Sequence, residues 1–312
     1  MPIDRRTFLL SSPWLLPSGS ALLAAEPAGR VPLVVNGKEA ASFYCGPEWD
    51  KPFLYPIRTV SGKAISRGYP LEKIAGEQTD HIWHRGLWYG HGIINGQDFW
   101  REQGREKTSR LVEKGAPVVR KRGRGAAVTA AFSMVTPAGK ALGSMRQEWM
   151  IADRGSLRLI DATITMDADQ GEPLVFGDTD DGGFAFRLND AFRQDRGAKL
   201  RNSSGLETTE KIWGKAAHWV DYSAVLDGVP TGVAIFDHPG NLRYPTAWHA
   251  RGYSLCAANP FATKSFSKGK GPDGSYTLAA GKQLRLRYRV VVHEGPLEPA
   301  AIEKLHGEWA RR

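Results

Sequence analysis

The sequence predicts an all-β protein, a large antiparallel β-sandwich with one short C-terminal helix. Three observations point there. Apolar residues alternate at period two, most cleanly in Leu284-Arg285-Leu286-Arg287-Tyr288-Arg289-Val290, which sets Leu284, Leu286, Tyr288 and Val290 on one face and three arginines on the other. Turn signals separate the runs: Pro137-Ala138-Gly139-Lys140, Asp153-Arg154-Gly155, Asp227-Gly228 and Gly271-Pro272-Asp273-Gly274. Almost nothing between the runs has helical spacing, so the crossover helices of a parallel sheet are missing and the strands must pair antiparallel in packed sheets. At this length the sandwich is a large, curved one rather than an immunoglobulin-sized module.

The chain opens with Arg5-Arg6 ahead of a short apolar stretch that ends near Ala25. Paired arginines before such a stretch form a twin-arginine export signal, here residues 1–25. Pro13 and Pro17 break the stretch, and it is too short for a membrane span. Residues 26–312 then make a single β-sandwich domain, exported to the periplasm or beyond, with no transmembrane helix after signal removal. Strands are expected at 127–135, 144–151, 156–166, 232–236 and 284–292. The one helix runs from Pro299 to Arg311, where Ile302, Leu305 and Trp309 share a face, and short helical turns fit 66–76.

The formal charge of +9 is spread along the chain. Its densest run, Arg120-Lys121-Arg122-Gly123-Arg124, reads as a solvated turn, and no nucleic-acid reading motif accompanies it, so a nucleic-acid partner is excluded. No nucleotide-binding motif is present either. Cys45 and Cys256 could pair in an oxidising compartment or remain two separate buried thiols.

Function concentrates first in Asp80-His81-Ile82-Trp83-His84-Arg85-Gly86-Leu87-Trp88-Tyr89-Gly90-His91-Gly92, which holds three of the eight histidines. Histidine titrates near neutral pH and serves as acid, base or metal ligand. The spacing fits no standard metal motif, so a metal cofactor stays open and its ligands unknown. Asn95-Gly96-Gln97-Asp98 is a turn in which Asp98 either caps the backbone or meets substrate. Asp178, Asp180 and Asp181 crowd one loop, and neighbouring carboxylates raise one another's pKa, as a general acid requires. Farther on come Trp213, His218, His238, Trp248, His249, Arg251 and Asn259. If the sandwich brings these loops together, they form a polar cleft walled by aromatics. Sugars fit such a cleft, since their C–H faces stack on tryptophan while their hydroxyls need Asp, Asn, Arg and His.

Asp80-His81-x-x-His84-Arg85-Gly86-Leu87-Trp88, Asn95-Gly96-x-Asp98-Phe99-Trp100, Gly177-Asp178-Thr179, Trp213-Gly214-Lys215, Phe236-Asp237-His238-Pro239 and Ala258-Asn259-Pro260-Phe261 together resemble an exported bacterial family commonly labelled "methane oxygenase PmoA". The similarity runs from about residue 30 to 295. The chain lacks the spanning helices of the membrane subunit from which that label comes. The resemblance implies an exported protein of polysaccharide-degrading bacteria, with a sandwich similar to that of galactose mutarotases. The chain differs from the family pattern at Trp83, where a further histidine is usual, and at Asp180-Asp181, where a basic residue and Glu are usual.

The expected function is therefore a carbohydrate-processing enzyme using His/Asp acid–base chemistry, an epimerase, lyase or glycoside-cleaving enzyme. His84, His91, Asp178, His238 and His249 are the expected catalytic residues. His81, Arg85, Trp88, Asp98, Trp213, Trp248, Arg251 and Asn259 are expected to bind substrate. The alternatives are a non-catalytic carbohydrate-binding protein and a metal-dependent oxidoreductase.

Overall fold

A computed structural model describes residues 29–312; the expected export signal lies outside the described residues. In chain order the strands are β1 (Arg30–Val35), β2 (Lys38–Tyr44), β3 (Phe53–Tyr55), β4 (Leu87–His91), β5 (Arg110–Glu113), β6 (Val118–Arg122), β7 (Gly125–Val135), β8 (Ala141–Arg154), β9 (Leu157–Asp167), β10 (Leu174–Phe176), β11 (Gly182–Arg187), β12 (Lys199–Asn202), β13 (Trp219–Leu226), β14 (Val229–Asp237), β15 (Ala247–Arg251), β16 (Leu255–Asn259), β17 (Tyr276–Leu278) and β18 (Gln283–Glu294). Three α-helical pieces accompany them: α1 (Thr209–Ile212), α2 (Thr263–Phe266) and the longer α3 (Pro299–Ala310). No helix among the described residues is long and apolar enough to cross a membrane.

The strands form two large antiparallel sheets. One has seven strands in the order β1-β2-β3-β4-β11-β16-β15. The other has nine, β12-β13-β14-β18-β9-β8-β7-β5 with β6 also on β7, and β10-β17 is a small third pair. The large sheets face each other across an apolar core. Phe184 of the seven-stranded sheet stacks on Tyr288 (ring centroids 4.6 Å apart) and on Trp149 (5.8 Å), both from the nine-stranded sheet. Leu54, Leu87, Tyr89, Phe186 and Cys256 meet Phe132, Ile160, Ile164, Val233 and Val290 in the same core. This is an all-β sandwich, as the alternation predicts.

The two sheets differ on their outer faces. Strands β7, β8 and β9 alternate buried and partly exposed residues, so their outer face meets solvent. Farther along the same sheet α3 covers the outer face, packing Ile302 and Trp309 on Trp219, Ala234, Phe236 and Val291. Strands β4, β11 and β16 are instead buried throughout. Their outer side chains lie under long loops, in a second cluster of Phe53, Tyr55, Trp88, Trp100, Ala185, Leu255 and Ala257. A strand covered on both sides has no reason to alternate, which is why this sheet leaves little period-two signal.

Two local expectations are corrected, and the alternative left open for the cysteines falls to two separate buried thiols. Residues 66–76 form turns, not helix, held where Glu77 accepts from the backbone N–H groups of Gly68 and Tyr69. Arg120, Lys121 and Arg122 lie in β6, an exposed strand whose charges discourage further edge pairing, rather than in a turn. Cys45 and Cys256 are both free and buried, and burial pushes both thiols up, away from reactivity.

Candidate functional site

Strand register builds a single outward-facing row on the seven-stranded sheet. Tyr44 pairs with Phe53, Phe53 with Trp88, Trp88 with Ala185, Ala185 with Ala257, and Ala257 with His249. Directly paired residues share a face, so all six point away from the inter-sheet core. Two positions along, Arg187 and Arg251 both lie opposite Leu255 and point the same way. Small side chains at Ala185 and Ala257 leave room over the middle of the row. Asp80 to Arg85 descends into that room from the loop before β4.

The loop is placed by tight backbone contacts. Gly86 has φ +50°, and a Cβ there would come within 2.1 Å of the Leu54 carbonyl oxygen, so glycine is required. His81 itself has φ +43°, an uncommon conformation for a side-chain-bearing residue, in a turn closed by His84 N–H donating to the His81 carbonyl at 3.0 Å. Arg67, fully buried, locks this turn from below. It donates to the carbonyls of Asp80 (2.7 Å), His81 (2.8 Å) and His84 (3.0 Å), and to Asp80 Oδ1 at 2.5 Å.

Asp80 is the centre of the network. Arg187 Nη2 donates to its Oδ1 at 2.8 Å, and His81 Nδ1 lies 2.7 Å from its Oδ2. Burial alone would raise the Asp80 carboxyl, but Arg187, His81 and Arg67 outweigh it and hold the group below the usual carboxylate range. An ionised Asp80 must accept from His81 Nδ1–H, which leaves Nε2 as the lone-pair nitrogen. The His81 ring is 37% exposed and stacks on His84 (4.7 Å, 4° between planes) and Tyr253 (5.5 Å, 17°), with Trp83 edge-on at 5.5 Å. Arg187 in turn lies 4.5 Å over the Tyr253 ring. The result is an oriented carboxylate–imidazole pair at an accessible surface.

His84 is unsuited to the same work. Its Nδ1 accepts from Arg187 Nη1 at 3.3 Å, and its ring is buried against Trp88 and Trp100. Burial and then the Arg187 charge hold it well below the usual imidazole range, so it stays neutral. The indole N–H groups of Trp83, Trp88 and Trp100 find no acceptor among the described residues. Beneath this bed Glu102 takes both Arg85 guanidinium nitrogens (2.5 and 2.6 Å) and Lys51 (2.9 Å). Burial would raise Glu102, but Lys51 and Arg85 pull it down to about 2. Arg85 is thus held in a buried ion pair under Trp49 and does not reach the open face.

A second group borders the first. His249 Nδ1 donates to the Asp180 carbonyl (2.6 Å), and its Nε2 accepts from Arg251 Nε (2.9 Å). With both nitrogens engaged, and its pKa pushed by burial and then Arg251 to about 4, His249 positions Arg251 rather than titrating. Arg251 is 40% exposed, lies 3.9 Å over the Trp213 ring and reaches Asp180 Oδ2 at 3.4 Å. Asn259 Nδ2 donates to the carbonyls of Thr179 (2.9 Å) and Asp180 (3.2 Å), pinning the acidic loop. Asp181, paired with exposed Arg101, has its carboxyl raised by burial and by Asp180 and Asp98 against the pull of Arg101. Both groups stand on the same face of the sheet, with His249 opposite Ala257 and both Arg187 and Arg251 opposite Leu255. A cleft of about 410 Å³ opens beside Trp213 and Arg251, lined also by Thr209, Gly252, Ser265 and Lys268. A larger one of about 590 Å³ lies elsewhere, beside Arg201 and His293, but both of these already bind Asp221.

The remaining expected residues fall outside this face. His91 points into the inter-sheet core, between Phe176 and Phe261, with Nε2 on the Gly177 carbonyl at 2.8 Å; burial lowers it to about 4. Asp178 accepts from the backbone N–H groups of Lys264, Ser265 and Gly274, so it clamps the loop carrying α2. Asp98 accepts from Trp100 N–H and Arg101 N–H, the capping role. Trp248 is a core residue whose indole donates to the Ala217 carbonyl. His238 sits on the other sheet, beside Arg287 and Trp309.

Arg67, Arg187 and Tyr253 do not stand out in the sequence. Arg187 alone left a trace, one charge closing the apolar run Phe184-Ala185-Phe186.

The sequence over residues 30–307 matches the model of a family of unknown function, DUF6807. The chain belongs to that family. Its description carries no methane-oxygenase activity. No curated protein matches the sequence. Among solved structures the fold is similar to a glycoside hydrolase family 97 enzyme in complex with acarbose from Pseudoalteromonas sp. strain K8, at 10% identity and TM-score 0.44, covering 84% of this chain and 35% of that one. It is also similar to a polysaccharide lyase, at 15% identity and TM-score 0.35, covering 88% and 34%. The chain thus spans about a third of the length of each.

Proposed function

We propose that this DUF6807 protein is an exported enzyme that processes a carbohydrate by general acid–base chemistry on the outer face of the seven-stranded sheet. The observation that carries the reading is the Asp80–His81 pair, its carboxylate held ionised by two buried arginines and its imidazole exposed. His81 Nε2 takes a proton from the sugar, and Asp80 stabilises the imidazolium that forms. Asp181, whose raised pKa keeps its proton to higher pH, returns one from the other side. Arg101 and Arg251 bind substrate oxygens, while Trp83, Tyr253 and Trp213 present faces for stacking. Elimination and epimerisation use this pairing directly, whereas in glycosidic cleavage His81 would take its proton from the attacking water while Asp181 protonates the leaving oxygen.

The test is turnover on a panel of neutral and acidic oligosaccharides, read by chromatography of products. A substrate should emerge, and His81→Gln should lower its turnover by about 10²–10⁴-fold while leaving the fold intact by circular dichroism. Full activity in His81→Gln would overturn the assignment of the base. Tight glycan binding with no product after long incubation would replace the enzyme by a carbohydrate-binding protein on the same face.

A further inference from the structure

On the opposite sheet, away from the carbohydrate face, three side chains that the acid–base reading does not use converge where α3 meets the start of β13. His218, Glu303 and His306 each offer a ligand atom, all within 4.8 Å of one another. Glu303 and His306 are three apart on α3 and so share one face of the helix, the Glu-x-x-His spacing that places a carboxylate and an imidazole side by side. His218 immediately precedes β13, and its carbonyl accepts from Asp237 N–H at 2.9 Å, which fixes it beside the end of β14.

The surrounding hydrogen bonds orient each donor. His306 Nε2 donates to the Asp237 carbonyl at 3.0 Å, leaving Nδ1 as the nitrogen with a lone pair. Trp219 Nε1 donates to Glu303 Oε2 at 2.7 Å, while Oε1 lies 3.9 Å from His218 Nδ1. A backbone carbonyl behind one histidine and an indole behind the carboxylate are the outer partners that metal ligands use to hold their direction. His306 is buried, whereas His218 (43% exposed) and Glu303 (52%) can shift to close the remaining gap. Tyr244 closes the side, its ring 5.3 Å from that of His218 and parallel to His306. Two imidazoles and one carboxylate favour a borderline transition ion over magnesium or calcium, and three protein ligands with an exposed edge leave a position for water.

We propose that His218, Glu303 and His306 bind one divalent transition-metal ion of the zinc class, which ties α3 to the nine-stranded sheet. The site needs no oxidant or substrate, and it stands or falls separately from the carbohydrate reading.

The experiment uses untagged full-length protein, stripped with chelator and titrated with Zn²⁺ by calorimetry, with Co²⁺ substitution read by visible absorption. One equivalent should bind, Co²⁺ should give the intense visible bands of a low-coordinate N/O site, and Zn²⁺ should raise Tm. His218→Ala and Glu303→Gln alter exposed side chains, so the fold should survive; each should weaken binding at least about tenfold. Trp219→Phe, which removes the outer hydrogen bond to Glu303 together with part of the packing under α3, should weaken it by about 10–100-fold. Absence of stoichiometric Zn²⁺ binding to the folded wild type, or binding unchanged in both His218→Ala and Glu303→Gln, would overturn the site.

Discussion

The two sheets are built from similar antiparallel strands but do different work with their outer faces. The nine-stranded sheet shows solvent an alternating surface and, beyond it, an apolar patch under α3. The seven-stranded sheet hides its outer face under loops and fills it with charge: Arg67, Arg187 and His84 are buried beside Asp80, and Lys51 and Arg85 beside Glu102. Burying so much charge costs stability, because each ion must be stripped of water and repaid by its partners. The nine-stranded sheet buries ion pairs too, Asp221 with His293 and Arg289 with Asp161, but neither orients an exposed imidazole as Asp80 does for His81. The sheet with the weaker strand signal is thus the one that holds the candidate site.

The contrast can be broken by paired substitutions. Phe132→Ala, in the core between the sheets, should cost about 3–5 kcal/mol in chemical denaturation yet leave the turnover of the folded fraction unchanged. Asp80→Ala should cost about 3 kcal/mol, because two buried guanidiniums lose their carboxylate, and should also abolish turnover. Equal functional loss in both variants would erase the distinction between the sheets.

A third prediction concerns acid. His91 and His249 are buried and neutral, with pKa values near 4 in the folded chain against an ordinary value of 6.5. Depressed folded values mean that the unfolded chain binds protons first as pH falls. Their contribution is therefore complete above about pH 6.5 and is lost as the pH drops towards about 4. The unfolding free energy should decline across that window, and His91→Phe, whatever its absolute stability, should make the decline shallower. The smallest effect belongs to the exposed strand β6: Lys121→Ala should change stability by less than about 0.5 kcal/mol and turnover not at all.

Much of the nine-stranded sheet was legible in the sequence. The runs at 127–135, 144–151, 156–166, 232–236 and 284–292 all lie in its strands, and the C-terminal helix begins at Pro299 as expected. In β7, β8, β9 and the first half of β18 one face meets water, so hydropathy alternates, whereas 232–236 is buried throughout and showed only as a short apolar run. β4, β11 and β16 lack that contrast, and none of them is among the strands expected from the sequence. At the candidate site, composition drew attention to Asp80–Arg85 but could not rank its members. His84 and His81 look alike in sequence, and only the placement of Arg187 and Asp80 separates a neutral buried ring from an oriented exposed one. His91 illustrates the limit of nearness in sequence. Seven residues beyond His84, and two beyond inward-facing Tyr89 on β4, it points into the opposite layer.

The central claim is that ligand binds the outer face of the seven-stranded sheet. Hydrogen–deuterium exchange with and without the best-binding oligosaccharide tests it most directly. Protection is predicted in 78–88, 180–187 and 249–253, with β7, β8 and α3 unchanged. Protection confined to α3 or to the solvent face of the nine-stranded sheet would contradict it.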